Sequence, residues 1–382
     1  MATPEANNTM RAWLYTRVHN GIENSLTLNE AAPRPPWPPT TTTKHGSSNQ
    51  VLVKVHFASL NPVDYKIADL GLLARAMVSV PASPGLDFSG TIASLPPNPS
   101  AALANEGFQV GDRVFGRLDP TRFGALGEYV VADYEGLAKI PEKGASSSSS
   151  SSSLEHASCL GTAAATALQC IGPNVREGAG DRVFINGGSG GTGTFGIQVA
   201  KALGCWVAAS CSTANVELCR SLGADVVVDY KTQDVSAVLR ELAAAKDDGG
   251  GDGKKFALVV DNVGSSPRDL YKAANEYLDP EGRFVQVGGT FSLADLRATL
   301  SRALLPGFLG GGRRSYSYLL MKNIHADLVR LAGWMAEGKV KAIVDGDGDE
   351  DGRVFNDAGE AFRKLKTGRA RGKVVVRVAK ET

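Results

Sequence analysis

Apolar residues recur with a period of two over 50–57, where Val51, Val53, Val55 and Phe57 share one face and Lys54 and His56 the other. This alternation predicts a half-buried strand with His56 on the water side. Further short β runs are expected at 11–15, 90–93, 112–115 and 128–131, punctuated by Gly and Pro as in a small, mostly β unit. Residues 1–10 carry no such pattern and read as a disordered tail. The Pro-, Thr- and Ser-rich stretch 33–49 reads as a surface insertion, and the eight serines at 146–153 as a loop that builds no core.

From 154 onward the period changes. An Ala-rich helix is expected over 154–171, followed by alternating β and α segments with strands at 183–185, 206–209, 226–228, 257–260 and 284–287. Val235, Val238, Leu239 and Leu242 form one apolar helical stripe, and Ser266-Pro267 has the form of a cap with proline in the first turn. Such alternation predicts a parallel sheet with crossover helices. The Gly/Asp-rich runs 247–253 and 346–352 read as solvated turns, the second lacking the closing glutamate of a calcium loop. After Asn323 come a helix over 326–337 and a strong strand over 373–378. That strand has no partner in the parallel sheet, so it is expected to pair with the front β unit and make the first domain discontinuous.

The strongest chemical signal follows the apolar run 183–185. Gly188-Ser189-Gly190-Gly191-Thr192-Gly193 has the G-x-G-x-x-G spacing and opens directly onto a helix whose apolar face carries Gly196, Val199, Ala200 and Leu203. Missing Cβ atoms let such a backbone turn tightly and approach a pyrophosphate, and the helix N-terminus supplies N–H groups and partial positive charge. The strand before it and the helix after it argue against a plain glycine linker. An NAD site needs an acid at the end of the next strand, and here no carboxylate occurs between Ala209 and Glu217. Ser212 and Thr213 can instead donate to a 2′-phosphate, with Asn215 and Arg220 close by in sequence, so NADP(H) is expected. Ser212 and Thr213 also suit the cap of the following helix. The nicotinamide end is expected against Asn262-Val263 and Gly288-Gly289, at the carboxyl ends of the fourth and fifth parallel strands.

Composition narrows the partners. With 382 residues the chain is long enough for two domains, and 41 basic against 40 acidic side chains leave no electrostatic footprint for nucleic acid or an anionic membrane. A small-molecule substrate is expected. Five cysteines, with no C-x-x-C spacing, read as buried thiols in a reducing compartment. The N-terminus shows neither a secretory apolar run nor the repeated arginines of a transit sequence, and no apolar segment is long enough to span a bilayer, so the cytoplasm is expected. A homodimer is the default among symmetric assemblies.

Several further segments fall in a telling order: Ser59-Leu60-Asn61-Pro62-Val63-Asp64-Tyr65-Lys66, Pro84-Gly85-Leu86-Asp87-Phe88-Ser89-Gly90, Val110-Gly111-Asp112-Arg113-Val114 and Thr166-Ala167-Leu168. Together they resemble the "NPxD", "PGxDxxG", "VGDRV" and "TA" segments of the medium-chain dehydrogenase/reductase superfamily in its zinc-free quinone oxidoreductase branch. The stretch LPGFLGGGRR at 305–314, with Gly372-Lys373-Val374-Val375, is similar to fungal reticulon-interacting-protein-like oxidoreductases. The resemblance covers most of the chain from about Met10 onward. It implies an α/β architecture in which a doubly wound Rossmann NADP-binding domain, 163–315, is inserted in a discontinuous, mostly β GroES-like catalytic domain, 1–162 and 316–382.

The resemblance also implies roles. Thr166 would stand beside the nicotinamide, Tyr230 near the 2′-phosphate and Lys373 at the cofactor. Asn61 would hydrogen-bond the acceptor carbonyl, Lys66 would bind cofactor or stabilise developing negative charge, and Tyr65 is the nearest candidate acid, although a packed core aromatic is its simpler reading. Where zinc alcohol dehydrogenases carry a Cys and a Gly-His-Glu segment, this chain has Asn61 and Gly85-Leu86-Asp87, so no metal is expected. Without a Lewis acid at the alcohol oxygen, reduction of an electron-poor quinone or α,β-unsaturated carbonyl is the better fit. Lys66 stands where quinone reductases often carry an aromatic residue and resembles trans-acting enoyl reductases of polyketide pathways. A non-catalytic NADPH-binding partner or redox sensor is the alternative of a different class.

Overall fold

The computed structural model describes residues 8–38, 47–70, 78–120, 122, 124–141, 153–245, 254–264, 270–289, 297, 299–302, 313–346 and 354–379. The expected features at 146–152, 247–253, Ser266-Pro267, 305–312 and 347–352 lie outside the described residues. The chain divides into two compact units, 1–163 with 323–382 and 164–322.

The first unit is built on one long strand. β1 (Thr9–Leu14) and β2 (Thr27–Pro33) form a two-stranded antiparallel ribbon, with Trp13 N donating to Leu126 O. β3 (Gln50–Leu60) pairs antiparallel with β4 (Asp87–Ser94), which pairs with β5 (Arg113–Arg117). β6 (Tyr129–Asp133) lies on β3, and β7 (Leu137–Lys139) on β5. Val51, Val53 and Val55 are fully buried, as the period-two pattern requires. His56 departs from its expected place in water: it is half-buried, with Nε2 3.5 Å from the Thr91 hydroxyl.

The second unit holds six parallel strands among its described residues: β8 (Arg182–Asn186), β9 (Trp206–Cys211), β10 (Val226–Asp229), β11 (Phe256–Asp261), β12 (Leu278–Gln286) and β13 (Ser315–Tyr318). Their order is β10-β9-β8-β11-β12-β13. Strand order therefore reverses between β8 and β11, the place where an open parallel sheet leaves a crevice at its carboxyl edge. Val183, Phe184 and Ile185 are all fully buried, as in a strand covered on both faces. β13 carries Ser-Tyr-Ser-Tyr and shows no apolar run, so sequence pattern passes over it. It keeps the chain in this unit to Lys322, beyond the expected turning point at 315.

The chain then returns to the first unit through helix His325–Ala336. β14 (Val354–Phe355) pairs with β15 (Val374–Arg377), and β15 pairs antiparallel with β3, setting Val374 opposite Leu60. Val374, Val376 and Val378 project into the core that Val53, Leu60 and Phe88 also form. The helix expected over 154–171 is interrupted: α-turns at Leu154–Ser158 and Ala165–Ile171 flank a π-helical turn, Leu160–Ala164.

If β15 closes the first core, Val376→Ala should lower unfolding stability by about 2 kcal/mol, the transfer and cavity cost of two buried methyl groups. Urea unfolding measures it; a change within experimental error would mean that the C-terminal strand is dispensable to that core.

Candidate active site

At the carboxyl ends of β8, β11 and β12 three loops meet at backbone distance. Gly187 turns with φ 78°, and a Cβ there would come within 2.9 Å of Val263 Cγ2. A Cβ on Gly193 would collide with the Gly187 carbonyl, and one on Gly288 with the carbonyl of Asn262. Only glycine fits these places. The helix that follows, Gly191–Ala202, has Gly190 at its N-cap and buries Phe195, Ile197 and Val199. Thr166 is buried on helix Ala165–Ile171, which packs along it.

Asp261 ties this crevice together. Its Oδ1 accepts from Asn186 Nδ2 at 2.8 Å and from the amides of Val263 and Gly264 at 3.0 Å each. Ser210 donates to Asn186 Oδ1 at 2.6 Å and accepts from the Gly187 amide at 3.1 Å, joining β9 to the same knot. Asn262 donates through Nδ2 to Asn186 O, while its buried Oδ1 has no hydrogen-bond partner among the described residues. An unsatisfied buried acceptor beside a glycine-rich cradle fits a ligand that brings its own donor, such as the carboxamide of a dinucleotide cofactor. Gly187, Asn186, Ser210 and Asp261 were not singled out by sequence; a glycine directly before the fingerprint and an acid closing β11 were the signals for two of them.

At the β9 end, Asn215 Nδ2 lies 3.2 Å from both Ser189 Oγ and Ser212 Oγ, and Asn215 Oδ1 is buried without a partner among the described residues. Thr213 behaves differently from expectation. Its hydroxyl donates to Asp229 Oδ2 at 2.6 Å, because parallel pairing sets Asp229 beside Cys211, two residues before Thr213. The Thr213 hydroxyl, then the Lys231 amide, hold the Asp229 carboxyl below its ordinary range. Arg220 is paired with Glu217 at 2.6 Å on the exposed face of its helix. Tyr230 is half exposed, and Lys231 Nζ lies 5.4 Å from the centre of its ring.

The first unit contains a buried polar cluster at the junction of β3 with helix Pro62–Ala68. Asn61 Nδ2 donates to Asp87 Oδ2 at 2.8 Å, and its Oδ1 accepts from Lys373 Nζ. Lys373 also donates to Leu60 O at 2.9 Å and lies 3.6 Å from Asp87 Oδ2. Lys373, expected at the cofactor, is therefore 2 % exposed inside this unit, carried there by the pairing of Val374 with Leu60. Asn61, expected at the acceptor carbonyl, is 4 % exposed and engaged at both ends of its amide, where it bridges two charges.

Asp64 completes the cluster. Its Oδ2 accepts from the Asn61 amide at 2.7 Å, and its buried Oδ1 has no partner among the described residues. Burial first, then the charge of Asp87, push its carboxyl up to about 7, against the opposing pull of the Asn61 amide, Lys373 and Arg117. Tyr65 packs partly against the first core, with Lys366 Nζ 5.4 Å from its ring centre, and burial pushes its phenol up. Lys66 follows on the same helix, half-buried. Among the described residues no group of three or more His, Cys, Asp and Glu side chains is gathered as a metal ion would need.

A family model described as "Alcohol dehydrogenase GroES-like domain" matches residues 47–142, and one described as "Zinc-binding dehydrogenase" matches 222–376. A trans-enoyl reductase of Aspergillus terreus is 42% identical over 373 residues, covering 97% of each chain. The human mitochondrial NAD(P)H oxidoreductase RTN4IP1 is 30% identical over 404 residues, covering 98% of this chain and 91% of its own. Among solved structures, the quinone oxidoreductase from Coxiella burnetii superposes with a TM-score of 0.73 at 26% identity, over 97% of this chain and 99% of that one.

Asp64 makes stability depend on pH. A carboxyl raised from 3.8 to about 7 holds its proton more tightly in the native than in the unfolded chain, so its contribution falls as pH rises through that window and is constant above it. Asp64→Asn keeps the acceptor for the Asn61 amide and removes the charge. Melting temperature should therefore fall less between pH 5 and pH 8 in the variant than in the wild type, Asp64 alone contributing at most about 1.4 kcal/mol of unfolding free energy per pH unit. Parallel curves would show that Asp64 does not titrate there.

Proposed function

The chain belongs to the medium-chain dehydrogenase/reductase superfamily, in its zinc-free quinone oxidoreductase branch, and from that premise we propose that it is an NADPH-dependent reductase of the C=C bond of α,β-unsaturated carbonyl compounds. The observation that carries the cofactor reading is the glycine-rich cradle with the unsatisfied Asn262 Oδ1 beside it. The substrate class rests on the 42% identical relative, whose name is that of an enoyl reductase, and on Lys66 in the place of an aromatic residue. Quinone reduction is the second reading, favoured by the Coxiella burnetii quinone oxidoreductase.

A reduced nicotinamide, when bound, supplies a hydride to the β-carbon of the acceptor. The loop of Gly188, Ser189, Gly190, Gly191, Thr192 and Gly193 would receive the pyrophosphate, with the helix dipole behind it. Ser212, Asn215, Tyr230 and Lys231 would hold the adenosine end; Thr213 acts there through Asp229. Thr166, Asn262, Val263, Gly288 and Gly289 would orient the nicotinamide end. Lys66 would stabilise negative charge on the acceptor oxygen, and the α-carbon takes its proton from solvent. Tyr65 is the weaker candidate for that proton, since burial makes its phenol a poorer acid. The five cysteines, all buried as free thiols, support a reducing compartment, and the cytoplasm is proposed. No helix among the described residues is long and apolar enough to cross a membrane.

Two measurements test this. In fluorescence titration NADPH should bind at least about tenfold more tightly than NADH, since the ribose end offers hydroxyl, amide and ammonium donors; equal affinities would remove Ser212, Asn215 and Lys231 from that role. An NADPH-oxidation screen over enoyl thioesters, enones, quinones and simple alcohols should show turnover of the first two and little alcohol oxidation. Turnover of quinones alone would select the second reading, and binding without oxidation by any acceptor would select the non-catalytic sensor.

A further inference from the structure

The chain passes between its two units twice, at 163/164 and at 322/323. One side chain of the first unit holds the residue beside each passage. Arg117, at the end of β5 and 7 % exposed, donates through Nε to Thr162 Oγ1 at 3.1 Å and through Nη1 to Asn323 Oδ1 at 2.8 Å. Asn323 Nδ2 returns a hydrogen bond to the Arg117 carbonyl at 3.1 Å. Thr162 passes the connection inward, donating to Asp87 Oδ1 at 2.6 Å. The other oxygen of Asp87 holds Asn61, the cap residue of the helix that bears Tyr65 and Lys66.

The backbone around this chain of bonds is fitted to it. A Cβ on Gly161 would come within 2.7 Å of both Asp87 Oδ1 and the Gly116 carbonyl. A Cβ on Gly136 would collide with the Arg117 carbonyl and come within 2.8 Å of Asn323 Nδ2, and one on Gly116 would collide with the Gly136 carbonyl. Three glycines at such distances mark a place where the backbone must come close. The first passage also runs through the π-helical turn Leu160–Ala164, a local widening of the helix that recurs at functional sites.

We propose that Arg117 is a positioning residue that fastens both passages of the chain to the Asp87–Asn61–Lys373 strut, through Thr162 and Asn323, and so fixes the helix carrying Lys66 while the acceptor is reduced. Two separated donors of a planar guanidinium suit this task; a lysine keeps the charge facing Asp87 and Asp64 but lacks the fork. The hydrogen bonds of the Arg117 side chain go to Thr162 and Asn323, both of the first unit, so its loss is felt in turnover and not in cofactor affinity. The turnover part rests on the reductase reading above; the fastening does not.

The test uses full-length Arg117→Lys and Thr162→Val. Hydrogen exchange followed by mass spectrometry should show faster exchange at 160–164 and at 322–325 together, and kcat in the NADPH-oxidation assay should fall about tenfold in Arg117→Lys and about threefold in Thr162→Val. The Kd for NADPH should stay within about twofold of wild type, because the cradle is untouched. Faster exchange at one passage only, or at neither, would overturn the proposal, as would NADPH affinity falling in step with kcat. Should Arg117→Lys fail to fold, Thr162→Val carries both readouts. If the wild type oxidises NADPH with no acceptor, the exchange measurement still decides on the fastening, so its failure and that of the reductase reading are told apart.

Discussion

The pairing of β15 with β3 is the contact from which the rest of the molecule follows. Lys373 and Leu60 stand 313 positions apart in the chain, so the second unit, 164–322, is folded as an insertion between the two strands, and the register Val374 opposite Leu60 then decides which side chains meet. Lys373 arrives beside Leu60 O and Asn61 Oδ1 because of that register. A slip of one residue would turn Val374 and Val376 out of the core and take Lys373 away from Asp87. Fold and charge cluster are therefore specified by the same few hydrogen bonds.

The two units solve the problem of buried polarity differently. In the second, the crevice at the sheet's carboxyl edge is made by removing side chains: Gly187, Gly193 and Gly288 let backbones touch, and one carboxylate, Asp261, gathers the loose amides. In the first, charges are brought in and balanced. Asp64, Asp87, Arg117 and Lys373 are all buried and carry two charges of each sign when ionised. Burying charges costs several kcal/mol each unless they are paired, and removing a single partner strands the other. The bridging amide of Asn61 spreads the Lys373–Asp87 attraction over two shorter contacts.

Much of this was legible in the sequence, and what was not has a common cause. The glycine fingerprint, the apolar strands of the parallel sheet and the lone C-terminal strand are local patterns with a fixed period, and the structure places each in its element. β13 escaped because an edge strand of alternating Ser and Tyr carries no apolar signal. Asp229 escaped because the rule for the ribose acid looks along β9, whereas this carboxylate comes from the neighbouring strand and reaches Thr213 only through pairing. Lys373 is legible only through its segment, and its bonds to Leu60 O and Asn61 Oδ1 are not, since nothing in its neighbours says which strand β15 will join. Arg117, separated by 206 positions from Asn323, has no sequence signature at all.

Asp64 shows where the balance in the first unit is finest. A carboxyl pushed up to about 7 while lying near two cations means that burial and the charge of Asp87 outweigh both of them. The reason is geometric: Lys373 is bonded to Asn61 and Leu60, and Arg117 to Thr162 and Asn323, so each cation is directed at another partner and acts on Asp64 only at a distance. With its proton on, Asp64 leaves the cluster with one net positive charge; with the proton off, the cluster is neutral but holds two buried carboxylates. Neither state is strongly preferred near neutral pH, and the helix that begins at Pro62 is held in both by the same bond from the Asn61 amide to Asp64 Oδ2. The cap that starts the helix is thus kept constant while the charge behind it changes.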